Sequence, residues 1–294
     1  MNLNNDSKFP ESRLEPEPGT LYIVGTPIGN LGDLSPRAKT ILKSVSIIAC
    51  EDTRRSGQLL KIIESKVPLI SYHKHNFQSR LKQLLEILKI DQSIALISDA
   101  GMPVISDPGQ ELVLAAKRND HQIVCIPGPC AATTALVISG LESQRFCYEG
   151  FLPRRKSDRN RRIIEISKEE RTTIIYESPH QLINLLKELS IHCGNERPIQ
   201  ISKELTKRYE ESIGSTIEEV LKFFEKNLPK GEFTIVLGGN SDNKNKISES
   251  EAIKKVKVLV NNGQRSKDAA HEISQETGYS KKWLYSKLHS KVDK

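Results

Sequence analysis

Three short segments hold most of the residues whose types and spacing could do chemistry. They are Gly25-Thr26-Pro27-Ile28-Gly29-Asn30-Leu31-Gly32-Asp33, Ser98-Asp99-Ala100-Gly101-Met102-Pro103-Val104-Ile105-Ser106-Asp107-Pro108-Gly109 and Pro127-Gly128-Pro129-Cys130-Ala131-Ala132. One such Gly- and Pro-rich stretch alone makes a tight turn. Three that leave strands of one sheet frame a binding cleft, because open α/β sheets bind ligands at the carboxyl ends of their strands. The ligand is constrained by what the segments lack. None carries the GxxxxGK[ST] phosphate cradle, and the Gly25 segment has no full GxGxxG fingerprint with an acidic ribose partner behind it.

A cofactor without a polyphosphate fits these turns better, and S-adenosylmethionine is one. It brings a sulfonium cation, an amino-acid end, and an adenosine that seeks backbone partners. Glycine lets the main chain approach closely, and proline fixes carbonyl directions without adding an N–H donor. Asp99 is the acid placed nearest the cationic or ribose parts, although an Asp capping the Gly101 turn is a second reading of the same residue.

The elements that must position these turns follow from hydrophobic period. Strands are expected at 21–25, 46–50, 68–72, 94–98 and 122–126, with helices between them starting at Ser35-Pro36 and spanning 77–88. A second α/β unit is expected from about Phe151, with strands at 173–176, 198–202 and 232–237 and helices at 159–167, 180–189 and 216–226. Such alternation predicts an α/β chain with a mainly parallel N-terminal sheet and a second α/β unit, followed by a small C-terminal helical domain. The expected organisation is a flexible lead-in over 1–18, α/β domains over 19–150 and 151–239, a polar linker over 240–248 and a helical unit over 249–294. Helices at 252–260, 267–275 and 280–289 around Glu-Thr-Gly-Tyr have helix-turn-helix spacing. The lysines Lys254, Lys255, Lys257, Lys281, Lys282 and Lys287 suit phosphate contact or, equally, a solvated face.

Composition sets the class. The chain is 37% hydrophobic and 28% charged, which is globular, and its 44 Lys and Arg against 37 Asp and Glu leave +7, a bias towards polyanionic partners. The cysteines Cys50, Cys125, Cys130, Cys147 and Cys193 show no metal-ligand spacing and read as buried reduced thiols. No segment is apolar enough to cross a bilayer, and a cytoplasmic location is expected.

The succession TPIGNLGD, CEDTR, SDAGMPVISDPG, PGPCAA, YEGFLPR, YESPH, KELTK and KGEFTIVLGG resembles the ribosomal RNA small subunit methyltransferase I family of the tetrapyrrole (class III) methylases. These words run in consistent order from about Gly19 to Gly239. The resemblance implies a two-domain tetrapyrrole-methylase-like fold with a mainly parallel N-terminal sheet, a mixed second sheet and S-adenosylmethionine between the domains, and a homodimer. It also implies 2'-O-methylation of a cytidine in the decoding region of 16S ribosomal RNA, within the small ribosomal subunit. Family members commonly carry Thr at Met102 and Arg at Gln181; the second change removes a possible phosphate fork.

Within these words the expected cofactor contacts are Pro27, Asp99, Gly101, Val104, Ile105, Ser106, Ala131 and Leu152. Methyl transfer is an in-line displacement, so alignment supplies much of the acceleration, up to about 7–11 kcal/mol in good cases. A base must also take the hydroxyl proton. Glu51, Asp52, Glu177, His180, Lys203 and Glu204 all follow strands. Of these Glu177, Lys203 and Glu204 are the expected catalytic groups, and His180 joins Arg54, Arg55, Arg154 and Arg155 as an expected RNA contact. Asp52 and Arg54 also read as a helix cap and its partner. The run Arg154, Arg155, Lys156, Arg159, Arg161, Arg162 is expected to meet phosphates. Two other functions fit parts of the chain: methylation of a tetrapyrrole or other small metabolite, and nucleic-acid binding without catalysis.

Overall fold

The computed structural model describes residues 15–240, 249–277 and 279–289. The first 14 residues of the expected lead-in and the linker tract 241–248 lie outside the described residues.

The first lobe is a five-stranded sheet of β1 (Leu21–Val24), β2 (Ile47–Cys50), β3 (Leu69–Ser71), β4 (Ile94–Leu96) and β5 (Ile123–Ile126), in the spatial order β3-β2-β4-β1-β5. Every pairing is parallel, with Leu21 opposite both Ile94 and Ile123 and Ile48 opposite Leu69. Parallel strands need crossovers, and the sequence supplies helices α1 (Pro36–Ser44), α2 (Thr53–Ile62), α3 (Phe77–Lys89) and α4 (Gln110–Arg118). Ser35 starts α1 by accepting the Ala38 N–H at 3.1 Å, with Pro36 in the first turn. Ile41 and Leu42 of α1 and Leu60 of α2 cover one face of the sheet; Leu84 and Leu88 of α3 and Leu112 of α4 cover the other. Burial on both faces explains why the strands read as unbroken apolar runs.

The second sheet contains β6 (Phe146–Phe151), β7 (Thr172–Glu177), β8 (Ile199–Lys203), β9 (Glu211–Ile213) and β10 (Phe233–Leu237), in the order β6-β7-β10-β8-β9. Only β6 and β7 are parallel. Helices α6 (Lys156–Lys168), α7 (Pro179–Cys193) and α8 (Ile217–Lys226) bury Ile163, Leu182, Leu185, Leu186, Val220 and Phe224 against one face, where Ile175, Ile201 and Ile235 point. The opposite face receives α5 (Ala131–Ser139), whose Ala132, Ala135 and Leu136 meet Ile174, Leu205 and Val236. Thus the helix that leaves the first sheet packs on the second, and its start ties the two lobes together.

Strands β6 and β9 have no counterpart in the sequence reading. Strand β6 shifts register between Tyr148 and Gly150, a bulge that breaks the two-residue period, and β9 is three residues long. Beyond the sheets, α9 (Glu249–Asn261), α10 (Ser266–Thr277) and α11 (Lys281–His289) share a small core of Ala252, Val256, Ala269, Ala270, Ile273 and Leu284. No helix of the described residues is long and apolar enough to cross a membrane. The cysteines are free thiols, but only Cys50 is buried and Cys125 is exposed, because β5 turns that side chain to the sheet surface.

Candidate active site

Parallel pairing brings the turns after β1, β4 and β5 to one edge of the first sheet, where backbone contacts lock them together. Thr26 and Gly101 exchange N–H···O bonds of 2.9 and 3.1 Å, joining the first turn to the second. Gly25 lies so close to Gly128 that a Cβ on Gly25 would stand 2.7 Å from the Gly128 Cα, so the first and third turns meet only because neither carries a side chain. The second turn is strained as well as tight. Val104 and Ser106 sit at φ of 76° and 65°, each a conformation that costs a non-glycine residue about 1–3 kcal/mol and that concentrates at ligand clamps.

These turns form one wall of a cleft of about 510 Å³, with Ile28, Asp99, Gly101, Met102, Ile105, Ser106, Asp107 and Ala131. Glu51 and Arg55 enter from the β2 end. The other wall comes from the second lobe: Phe151, Tyr176, Glu177, Ser178, Pro179 and the 231–234 segment. A direct link spans the mouth, where Ser106 Oγ and the Tyr148 hydroxyl lie 2.6 Å apart, and Tyr148 stacks edge-on against Tyr176 at 5.4 Å.

The cleft is acidic and apolar together. Glu51, Asp99, Asp107, Glu177 and Glu232 face it against Arg55, which reaches Asp99 at 3.4 Å. Asp99 also accepts the Asp52 N–H at 3.1 Å, so it braces the start of α2 besides facing the hollow. Two cleft groups are altered by these surroundings: burial pushes the Tyr176 hydroxyl well up, and Asp107 is shifted too. Burial, with the negative charge of Glu51 second and the Ser98 hydroxyl opposing, pushes its carboxyl up to about 6. Polyphosphates are repelled by such a lining, whereas a compact cation carrying an apolar body suits it. The residues therefore fit S-adenosylmethionine: carboxylates for the charged groups, Ile28, Ile105, Ala131 and Phe151 for the apolar parts, and the glycine turns for close backbone approach.

Comparison with known proteins adds the family. Residues 20–221 match the model of the Tetrapyrrole (Corrin/Porphyrin) Methylases. The ribosomal RNA small subunit methyltransferase I of Synechocystis sp. is 41% identical over 268 residues, spanning 91% of this chain and 96% of that one. Its namesake from Haemophilus influenzae is 42% identical over 271 residues, 91% and 95% of the two chains. This chain belongs to the ribosomal RNA small subunit methyltransferase I family. The same fold appears in a uroporphyrin-III C-methyltransferase from Thermus thermophilus solved with S-adenosylhomocysteine, with a TM-score of 0.52, 17% identity and coverage of 74% of this chain and 96% of that one. The reading as nucleic-acid binding without catalysis is set aside, since a methyltransferase family accounts for the whole two-lobed unit.

In this family member the residues singled out by sequence divide into two groups. Asp99, Gly101, Ile105, Ser106, Ala131, Arg55 and Glu177 all line the cleft. Pro27 and Val104 belong to the same turns without lining it, and Leu152 is buried in the helix-side core of the second sheet. Glu177 is committed to structure on one side. Its Oε2 meets Arg159 at 3.1 Å in a nearly dry pair, and its Oε1 accepts the Ser178 N–H at 2.8 Å. Arg159 also grips Glu188 at 2.8 Å, so it leaves the expected phosphate-binding run and turns inward. Arg161 pairs with Asp158, and Arg162 with Glu149 and Glu165. Arg154, Arg155 and Lys156 stay exposed and unpaired among the described residues, just beyond Phe151.

Lys203 points out of the cleft into a neighbouring groove, paired with Glu211 at 2.9 Å, because it shares the face of β8 that carries Ile199 and Ile201. Glu204 lies behind the 231–234 segment, where its Oε1 accepts the Glu232 N–H at 2.9 Å and meets Lys207 at 3.0 Å. Those two interactions outweigh the upward push of burial and hold its carboxyl below the ordinary range. His180 is exposed in the first turn of α7. Asp52 caps α2 through the Arg54 N–H at 2.9 Å and pairs with the Arg54 guanidinium at 2.7 Å, which keeps its carboxyl at about 2. The sequence reading passes over Asp107, Phe151 and Tyr176. In sequence Asp107 is only the second acid of SDAGMPVISDPG, with nothing local to say which of its neighbours would be charged.

Proposed function

We propose that this protein transfers a methyl group from S-adenosylmethionine to the 2'-oxygen of a cytidine in the decoding region of 16S ribosomal RNA, acting on the small subunit as a cytoplasmic homodimer. The observation that carries the reading is a cleft where strained glycine turns and carboxylates of one lobe face aromatic residues of the other. Relatives named for ribosomal RNA methylation at about two-fifths identity support RNA over a small metabolite as substrate.

When bound, the cofactor supplies an electrophilic methyl on a sulfonium and departs as a neutral thioether. Asp99, Gly101, Ile105, Ser106 and Ala131 hold and orient it, with Pro27 and Val104 shaping the turns and Leu152 supporting the wall from behind. Asp107 takes the 2'-hydroxyl proton as the new carbon–oxygen bond forms, since a carboxylate with a pKa of about 6 is a better base near neutrality than an ordinary one. Glu177 and Glu204 act as positioning residues, through Arg159 and through the 231–234 segment. Arg55, Arg154, Arg155 and His180 meet the RNA, and Arg54 adds a phosphate contact at the rim.

The test is to incubate the protein with methyl-labelled S-adenosylmethionine and small subunits that lack the modification, then map the label. Label on a ribose oxygen of a decoding-region cytidine is expected. Label on a base, or transfer to a small metabolite alone, overturns the reading.

A further inference from the structure

The ends of all five strands of the second sheet form one long edge, part of which borders the cleft. Register places Glu177, Phe233, Lys203 and Glu211 side by side along it, on β7, β10, β8 and β9 in turn, with Phe151 of β6 opposite Tyr176 at the near end. At about 4.8 Å between strands that edge runs about 19 Å. The cleft uses the β6, β7 and β10 end. Beyond Phe233, which borders both, lies a second groove of about 490 Å³.

The chemistry of this groove differs from that of the cleft. Its rim carries Lys203, Lys226 and Lys230 against the single acid Glu211. Glu211 is already engaged by Lys203, while Lys226 and Lys230 are exposed and have no ion-pair partner among the described residues. Apolar surface lies between the cations. Phe223 is half-buried, Leu228 is 81% exposed, and a row of edge-to-face rings from Phe223 through Phe224 to Phe233 leads back towards the cleft. Cations interleaved with ring surface are how proteins hold single-stranded nucleic acid: lysines take the phosphates, and the apolar surface takes a base. Arg154, Arg155 and Lys156 stand at the opposite end of the same edge. A polyanion laid along it is held at both flanks, while the acidic centre repels phosphate and leaves room for a sugar.

Building on the proposed RNA substrate, we propose that the groove of Lys226, Lys230, Phe223 and Leu228 is a second RNA contact that grips a single-stranded segment flanking the target nucleotide. The decisive variant is Lys226→Ala/Lys230→Ala in the full chain, with Lys226→Arg/Lys230→Arg as the charge-retaining control. Both positions are exposed, and a circular dichroism melt verifies the fold.

Three measurements are made: binding to a fluorescent single-stranded oligoribonucleotide at several salt concentrations, methylation of unmodified small subunits, and cofactor titration. For the alanine pair, affinity for the oligoribonucleotide falls about tenfold and the log–log salt slope drops by about 1.4, about 0.7 for each single-strand phosphate no longer neutralised by a lysine. KM for the subunit rises at least fivefold, kcat stays within about twofold and cofactor affinity is unchanged, while the arginine pair restores binding. Unchanged RNA affinity and salt slope, in a protein whose wild type binds and methylates RNA, overturn the groove but not the proposed function. A raised KM with unchanged oligoribonucleotide binding also overturns it, because the groove then meets a ribosomal protein. If the wild type itself neither binds nor methylates RNA, the function falls and the groove's role falls with it.

Discussion

Asp107 joins a thermodynamic cost to a chemical use. Its carboxyl stays protonated in the folded chain up to about pH 6, whereas an unfolded aspartate ionises near about 3.9. The folded state therefore holds the extra proton in this window, and stability is lost as pH rises through it and stays lower above. Asp107→Asn cannot ionise and is expected to stabilise the protein at pH 8 by about 1 kcal/mol, well under the full conversion of the shift because the group is partly solvated. It is expected to lower kcat by at least about a hundredfold, within the range a general base contributes. Denaturant melts and single-turnover methylation check both arms. In the native enzyme kcat/KM should climb as pH passes about 6; a flat profile there would remove Asp107 from the reaction. Arg159 tests a different balance, since Arg159→Ala strands Glu177 in a site where it is 7% exposed. The expected loss is about 3–5 kcal/mol in urea unfolding, and Arg159→Met with Glu177→Leu should recover much of it.

At the level of elements, the cleft depends on turns that approach more closely than side chains permit. A Cβ on Gly128 would stand 2.8 Å from the Gly25 Cα, backbone against backbone, with no flexible group to yield. Gly128→Ala is therefore expected to push the first and third turns apart and to weaken cofactor binding at least about tenfold, a loss of about 1.4 kcal/mol. Isothermal titration checks this, and unchanged affinity would mean that the two turns can separate without opening the site. The strain at Val104 and Ser106 belongs to the same design: the Thr26–Gly101 pairing at one end and the Ser106–Tyr148 hydrogen bond at the other hold the loop in place.

For the whole molecule, charge is sorted rather than spread. The excess of +7 coexists with an acidic cleft, and exposed cations gather at the flanks of the second sheet. Replacing Arg154 and Arg155 with alanine should weaken RNA binding several-fold and flatten its salt dependence, while cofactor affinity stays the same. Separate titrations decide it, and equal loss of both would place these arginines in the cofactor site instead.

The α/β alternation, the first sheet's strands and the three turns are all legible in the sequence, because each rests on local causes: apolar runs, a capping Ser35 before Pro36, and Gly and Pro at bends. Strand β6 is not legible, since its bulge breaks the period, and neither is the packing of α5, whose nearly uniform apolar surface favours no side. The site divides in the same way. Asp99, Gly101 and Ala131 can be placed together because parallel pairing brings their turns to one edge. Only tertiary structure decides that Arg159 faces Glu177, that Lys203 leaves the cleft and that Asp107 is crowded by Glu51. Those outcomes depend on strand parity at a sheet edge and on charges far apart in the chain, and neither is encoded in any local stretch of residues.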